Sequence, residues 1–172
     1  MKNPFRKSYS LTDLNMFRTL NRVKMFDRLN YDELALFLPF LHLREYKSEE
    51  VVFFRNDPSN ALYIVKSGKI SINLDVQEEM QILQILKSGE FFGQNALLED
   101  TIRLFTAIVV SEVAEIYVLP KVNVIEIFKR HSRIRAKVMT SLAELYNEFN
   151  TKVFKSYRES LGFFTLDQAF NR

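Results

Sequence analysis

The sequence predicts a mostly β domain with flanking helices (α+β): an antiparallel β-roll or jelly-roll barrel, preceded by helices and followed by a long one. Two observations lead there. Between Pro39 and Pro120, short runs rich in β-branched and aromatic residues recur with polar turns between them, as in antiparallel barrels. On both sides of that stretch the apolar residues return to the three-to-four-residue spacing of a helix.

Residues 1–10, MKNPFRKSYS, form a basic arm. From Leu11 to Leu29 apolar residues fall at Leu14, Phe17, Leu20, Val23 and Met25-Phe26, one buried helical stripe, with Thr12 or Asp13 able to cap it. Asn30 precedes Tyr31-Asp32-Glu33 as the cap of a second short helix running toward Leu38, so residues 11–38 are helical and Pro39 ends them. Strands are expected at 42–46, 51–54 and 61–65. Ser67-Gly68-Lys69 then turns a hairpin into the alternating run 70–74. A turn at Gln77-Glu78-Glu79 leads to a strand over 80–86, and two more runs cover 106–111 and 114–119. Helical spacing resumes at 122–128 and again from Ser132 to about Arg158, placing the C-terminal helices at 121–160. The longer helix carries Ile134, Val138, Leu142, Leu145, Phe149 and Val153. Their steps of four, four, three, four and four follow an eleven-residue repeat, so the helix should be nearly straight, not a sustained left-handed coiled coil. Its stripe either packs back on the barrel or forms a dimer seam. An apolar tail, 161–172, contains Phe163, Phe164 and Phe170.

With 172 residues, 47% apolar content and 16 phenylalanines, the chain suits a single domain, 1–172, with a substantial core. No apolar run approaches the roughly 18 residues of a membrane span, and the basic start lacks the apolar region of a secretory signal. The absence of cysteine excludes disulfides and thiolate chemistry and fits a reducing cytoplasm. The net charge of +3 hides a division: residues 1–28 carry +5, residues 29–128 carry −7 and residues 129–159 carry +5. These charges are either solvated helix faces attracted to the acidic middle or a basic surface for an acidic partner.

One stretch stands apart, SGEFFGQNALLEDTIRLFTA at 88–107, with two of the four glycines, Gly89 and Gly93, and a single cation, Arg103. A glycine before a short helix lets backbone approach a ligand closely, and the first helical amides are left as free donors. A guanidinium matches two phosphate oxygens at once. A glycine turn followed by an arginine is common, however, so the surrounding order of elements has to carry the reading.

That order, with the anchors Leu62-Tyr63-Ile64-Val65-Lys66-Ser67-Gly68-Lys69-Ile70, Leu86-Lys87-Ser88-Gly89-Glu90-Phe91-Phe92-Gly93, Ala96-Leu97-Leu98 and Arg103, resembles the cyclic-nucleotide-binding domain of catabolite-activator-type regulators, kinase regulatory subunits and gated channels. The resemblance covers about residues 20–158. It implies an eight-stranded roll with a phosphate-binding cassette at 89–107 and flanking helices that move when ligand binds. It also implies site roles. Gly93 opens the cassette, the amides near Asn95 and Ala96 face the cyclic phosphate, Arg103 pairs with it, and Gln94 replaces the glutamate that accepts the ribose 2′-hydroxyl. A neutral acceptor there gives a weaker hydrogen bond. After the arginine the family places a small or hydroxyl-bearing residue, where this chain has Leu104 and then Phe105. The extra bulk should cost about 1–3 kcal/mol of affinity. The family's glycines near Glu49 and Asn56 are also replaced. Asparagine tolerates a left-handed turn, and glutamate does so poorly.

No enzyme is expected. His42 and His131 are the only histidines and lack the spacing of a metal site, and no catalytic triad pattern is present. No cofactor is implied beyond cAMP or cGMP as ligand. Only about a dozen residues follow the long helix, too few for a helix-turn-helix, so no DNA-binding module and no transmembrane segment are expected. The function implied is a stand-alone regulatory sensor of a cyclic nucleotide. The alternative is a degenerate domain whose filled pocket serves protein interaction. The expected partner is a second copy or another protein, met through the C-terminal helix at Val138, Leu142, Leu145 and Phe149.

Overall fold

In the computed structural model of the chain, the described residues are 8–76 and 79–161, without the side chains of residues 76, 160 and 161. The basic arm before residue 8, the tip of the 77–79 turn and the tail from residue 162 onward lie outside them.

Eight strands form two antiparallel four-stranded sheets, as a β-roll requires. They are β1 (His42–Lys47), β2 (Val51–Phe53), β3 (Ala61–Ser67), β4 (Ile70–Val76), β5 (Glu79–Leu86), β6 (Phe91–Phe92), β7 (Thr106–Val109) and β8 (Val113–Pro120). One sheet has the order β1-β8-β3-β6 and the other β2-β7-β4-β5. Strand β6 has no counterpart in the sequence reading, because two residues show no period. It is defined by pairing alone, Phe92 opposite Tyr63 and Phe91 opposite Ile64. Between the sheets lie Val65, Ile70, Leu86, Phe92, Ala107, Val109, Ala114 and Ile116. Leu62 and Ile64 on the other face of β3 belong to a second core shared with the helices. Burial on both faces explains why β3 reads as a continuous apolar run rather than an alternation.

The first helix, α1 (Leu11–Arg22), is shorter than its spacing suggested. Its cap is Ser10, whose hydroxyl accepts from the Asp13 amide while the Asp13 carboxylate accepts from the Ser10 amide, so neither Thr12 nor Asp13 is the cap residue. At Val23 the backbone becomes extended, and Lys24–Phe26 form a 3-10 turn. The break lets Val23, Met25 and Phe26 all be fully buried, which three residues this close could not achieve on one helical stripe. Asn30 caps α2 (Tyr31–Leu34) through a reciprocal pair with Glu33, and a second 3-10 turn covers Leu38–Phe40.

After β8 come α3 (Lys121–Arg130) and α4 (Ser132–Leu161). Ile134, Val138 and Leu142 of α4 are buried in the helical core, with Leu145 and Tyr146 packed at its margin. The proximal part of the stripe therefore packs on its own chain, and Val138 and Leu142 are corrected from seam to core. Only the distal turns leave apolar side chains open, at Phe149, Val153 and Phe154. Polar contacts hold α4 to the N-terminal helices. Lys137 meets Glu33 at 2.7 Å, Arg28 meets Glu144 at 2.6 Å, Lys24 meets Glu148, and the Ser141 hydroxyl donates to Asp27 at 3.2 Å. The Lys137 contact is the expected attraction to the acidic middle. In the other two ion pairs a carboxylate of the basic C-terminal segment meets a cation of the basic N-terminal one. Burial opposes ionisation of Glu33, but Lys137 and the Asn30 amide outweigh it and hold the carboxyl below its usual range.

Candidate functional site

The turns that precede the cassette determine where Arg103 sits. Glu49 and Asn56 take the left-handed conformation at φ +69° and +70°, so the geometry expected of glycine survives in both replacements, with local strain concentrated at Glu49. The Asn56 amide donates to the Arg103 carbonyl at 2.9 Å, and the Arg103 amide donates to the Asp57 carbonyl at 2.8 Å. Residues on either side are tied as well. Pro58 bridges to Ile102, and the Ser59 amide donates to the Thr101 carbonyl at 3.0 Å.

From this anchored backbone the Arg103 side chain runs inward and is only 2% exposed. One terminal nitrogen donates to the Ala61 carbonyl at 2.7 Å and the other to the Gly93 carbonyl at 3.1 Å. The guanidinium carbon lies 4.3 Å from the centre of the Phe53 ring and 5.3 Å from that of Tyr63, a cation held against aromatic faces. Its Nε has no partner, and among the described residues no carboxylate lies within ion-pair distance. Burial accordingly pulls the guanidinium pKa down. Gly93 begins the 3-10 turn Gln94–Leu97 in the left-handed conformation, φ +73°. Any side chain there would meet Arg103, since a Cβ would lie 2.5 Å from its nearer terminal nitrogen.

A cavity of about 410 Å3 opens between the cassette and α4. Gly93, Gln94, Asn95, Arg103 and Leu104 all line it, so five of the six expected site residues come together. Their roles differ in detail from expectation. Asn95 is used structurally: its amide group donates to the Ile102 carbonyl at 2.7 Å and its oxygen accepts from the Ser59 hydroxyl at 2.9 Å. Ala96 is fully buried, and its amide donates to the Gly93 carbonyl at 3.1 Å rather than standing free. Leu104 is 59% exposed at the cavity, beside Phe105.

Most of the remaining lining comes from outside the cassette. Leu142, Leu145, Tyr146 and Phe149 of α4 form one wall, and Arg22, Lys24, Glu148 and Lys152 contribute charge. Phe53 and Tyr63 flank the guanidinium, and the sequence marks neither as a site residue although Tyr63 lies within one of the family anchors. An aromatic residue at the inward register of a strand is ordinary core by every sequence criterion. The Lys24–Glu148 pair joins the N-terminal 3-10 turn to α4 at this cavity, so a ligand entering it touches the contacts that dock the long helix.

The sequence profile of the cyclic nucleotide-binding domain matches residues 43–131. The cyclic AMP receptor protein of Thermus thermophilus is 28% identical over 127 residues, which are 72% of this chain and 57% of that protein. The crystal structure of the catabolite activator protein of the same organism superposes with a TM-score of 0.66 at 25% identity, over 79% of this chain and 64% of that one. The regulatory domain of Toxoplasma gondii PKA, crystallised with cAMP, gives 0.62 at 20% identity, over 72% and 46% of the two chains; at that identity the likeness is one of fold. This chain spans little more than half the length of the cyclic AMP receptor protein and a smaller share of other curated relatives.

Proposed function

The chain belongs to the cyclic nucleotide-binding domain family, and from that premise we propose that it is a cytoplasmic regulatory sensor, not an enzyme, that takes up a small phosphate-bearing ligand, cAMP or cGMP, and passes the event on through α4. One observation carries the reading. A buried guanidinium with an unpaired Nε, and with no carboxylate at ion-pair distance among the described residues, lines a cavity. An uncompensated buried charge is costly, and an anion entering the cavity would remove that cost. The α4 wall and the Lys24–Glu148 contact provide the route by which occupancy bears on the helix. Calorimetric titration with cAMP and cGMP tests the reading, and no heat of binding with either nucleotide would favour a domain that acts by protein contact alone.

Leu104 is expected to weaken that binding. It is exposed at the cavity and brings bulk without a donor beside Arg103, so Leu104→Ser should tighten cyclic-nucleotide binding by roughly tenfold, the lower part of the range for relieving an overfilled site. Unchanged or weaker binding would mean that Leu104 does not face the ligand.

Beyond Leu145, α4 offers Val153 and Phe154, which are 48% and 50% exposed. We read these turns as the seam of a homodimer. Burial there contributes about 25 cal/mol per Å2 of apolar surface, offset in part by lost rigid-body freedom. Lys152, Lys155 and Arg158 on the same turns oppose close approach of two copies, so added salt should strengthen association by screening them. Sedimentation at low and high salt, alongside Phe154→Glu, measures this. A monomer throughout at roughly tens of micromolar protein would exclude the seam.

A further inference from the structure

The surface that lines the cavity is mostly apolar, and most of its polar side chains are charged. The apolar part contributed by α4 is Leu142, Leu145, the Tyr146 ring and Phe149, beside the charged Glu148 and Lys152, and the cassette adds Leu104 and Phe105. The neutral polar side chains are Gln84, Gln94, Asn95 and the Tyr146 hydroxyl, and Asn95 is already committed to Ile102 and Ser59. A purine and its ribose carry several donors and acceptors. Each one left facing a leucine or phenylalanine forfeits its water without a replacement, at roughly tenfold or more in affinity. An alkyl chain loses nothing against the same wall.

The charges, by contrast, favour an anion. Arg103 stands inside with its Nε unpaired. Arg22 and Lys152 line the cavity from exposed positions, and among the described residues neither side chain forms a salt bridge at contact distance, although Lys152 is close enough to favour ionisation of Glu148. Of the two lining carboxylates, Glu148 is paired with Lys24, and Glu90 accepts from the Lys87 amide at 2.7 Å. Exposed cations at the rim raise the local concentration of anions, and a buried one holds them.

The geometry points to a second class of ligand for this cavity: an amphipathic anion, with a carboxylate or phosphate head at Arg103 and an unbranched alkyl chain along the apolar residues of α4. This rests on the reading of the cavity as a ligand pocket whose anion meets Arg103, and extends it to ligands without a base or sugar.

The test is calorimetric titration of the full chain with hexanoate, octanoate and decanoate below their micellar concentrations, with decyl phosphate, with the neutral alcohol decanol, and with cAMP and cGMP. One decanoate or decyl phosphate should bind per chain. Affinity should rise roughly fourfold for each methylene from hexanoate to decanoate, the increment for a buried CH2. Arg103→Gln should weaken decanoate at least tenfold and leave decanol unchanged. Phe149→Gln, at a position 55% exposed and hence safe for folding, should weaken decanoate more than hexanoate. If Arg103→Gln fails to fold, the chain-length slope and the preference for decanoate over decanol decide the matter in the parent chain. Binding of cAMP or cGMP that no alkyl anion displaces would overturn this inference and leave the sensor reading standing. No binding of any of these compounds would overturn both. Decanol bound as tightly as decanoate, or decanoate indifferent to Arg103→Gln, would mean adsorption to apolar surface and would also overturn it.

Discussion

Arg103→Ala should abolish most anion binding while leaving the ligand-free fold nearly as stable as before. The two effects separate because they draw on different interactions. In the bound state the guanidinium would supply charge-assisted hydrogen bonds to an anion, and their loss should cost roughly 2–4 kcal/mol, about thirty- to several-hundredfold in affinity. In the ligand-free state the same group donates to the Ala61 and Gly93 carbonyls, which favours the fold. It is also a buried charge with no carboxylate at ion-pair distance among the described residues, which opposes it. Contributions of this kind are each a few kcal/mol and of opposite sign, so their difference is small. Arg103→Met sharpens the comparison, since a thioether keeps the contact with the Phe53 and Tyr63 rings without the charge. Its melting temperature should equal or exceed that of the parent, with binding lost. Parental affinity for cAMP or cGMP in either variant would show that Arg103 is not the anion contact.

The extent to which this site was legible in the sequence follows from the range over which each signal acts. Gly93 and Arg103 lie ten residues apart within one connection, so their partnership is visible in a short stretch of chain. Phe53, Tyr63 and the Ala61 carbonyl come from strands assembled around it, and nothing local distinguishes a phenylalanine that stacks on a guanidinium from one that fills a core. The same holds for Leu142, Leu145 and Phe149. Helical spacing shows that they share a stripe but not what the stripe covers, so a dimer seam and an internal wall read alike. The break at Val23 illustrates the converse. Its stripe favours a continued helix, and the extended residue there reflects the burial of Met25 and Phe26 against elements far away in sequence, where tertiary packing overrides local periodicity. Glu49 is a case where the residue type argued against the geometry that is present. Its left-handed turn is fixed from outside, by the Glu49 amide donating to Val109 and the Val109 amide to Glu50, and strain at one residue is small beside such pairing.

Gly93→Ala should reduce both stability and binding, and a matched variant shows how much of each comes from displacing Arg103. At φ +73° any L side chain is strained, by about 1–2 kcal/mol. That alone would lower the melting temperature by roughly 2–8 °C in a domain of this size. The added Cβ would also stand 2.5 Å from the nearer terminal nitrogen of Arg103 and 3.1 Å from both the Ala61 oxygen and the Tyr63 ring. The carbonyl belongs to β3 and cannot move without disturbing its pairing with β8, and the ring is held by its stacking on Phe92, so the guanidinium must give way. Gly89 is the control. It has a similar φ of +88°, but a Cβ there would meet only the Arg22 side chain, at 3.9 Å, so Gly89→Ala carries the backbone strain without the collision. Both variants should therefore melt below the parent, Gly93→Ala by more. Gly93→Ala should lose anion binding by tenfold or more as Arg103 leaves its place, and Gly89→Ala, at the rim of the same cavity beside Arg22, should lose much less. Equal affinity in the two variants, measured by the same calorimetric titration with cAMP, would mean that Arg103 is not held in register by the absence of a side chain at position 93.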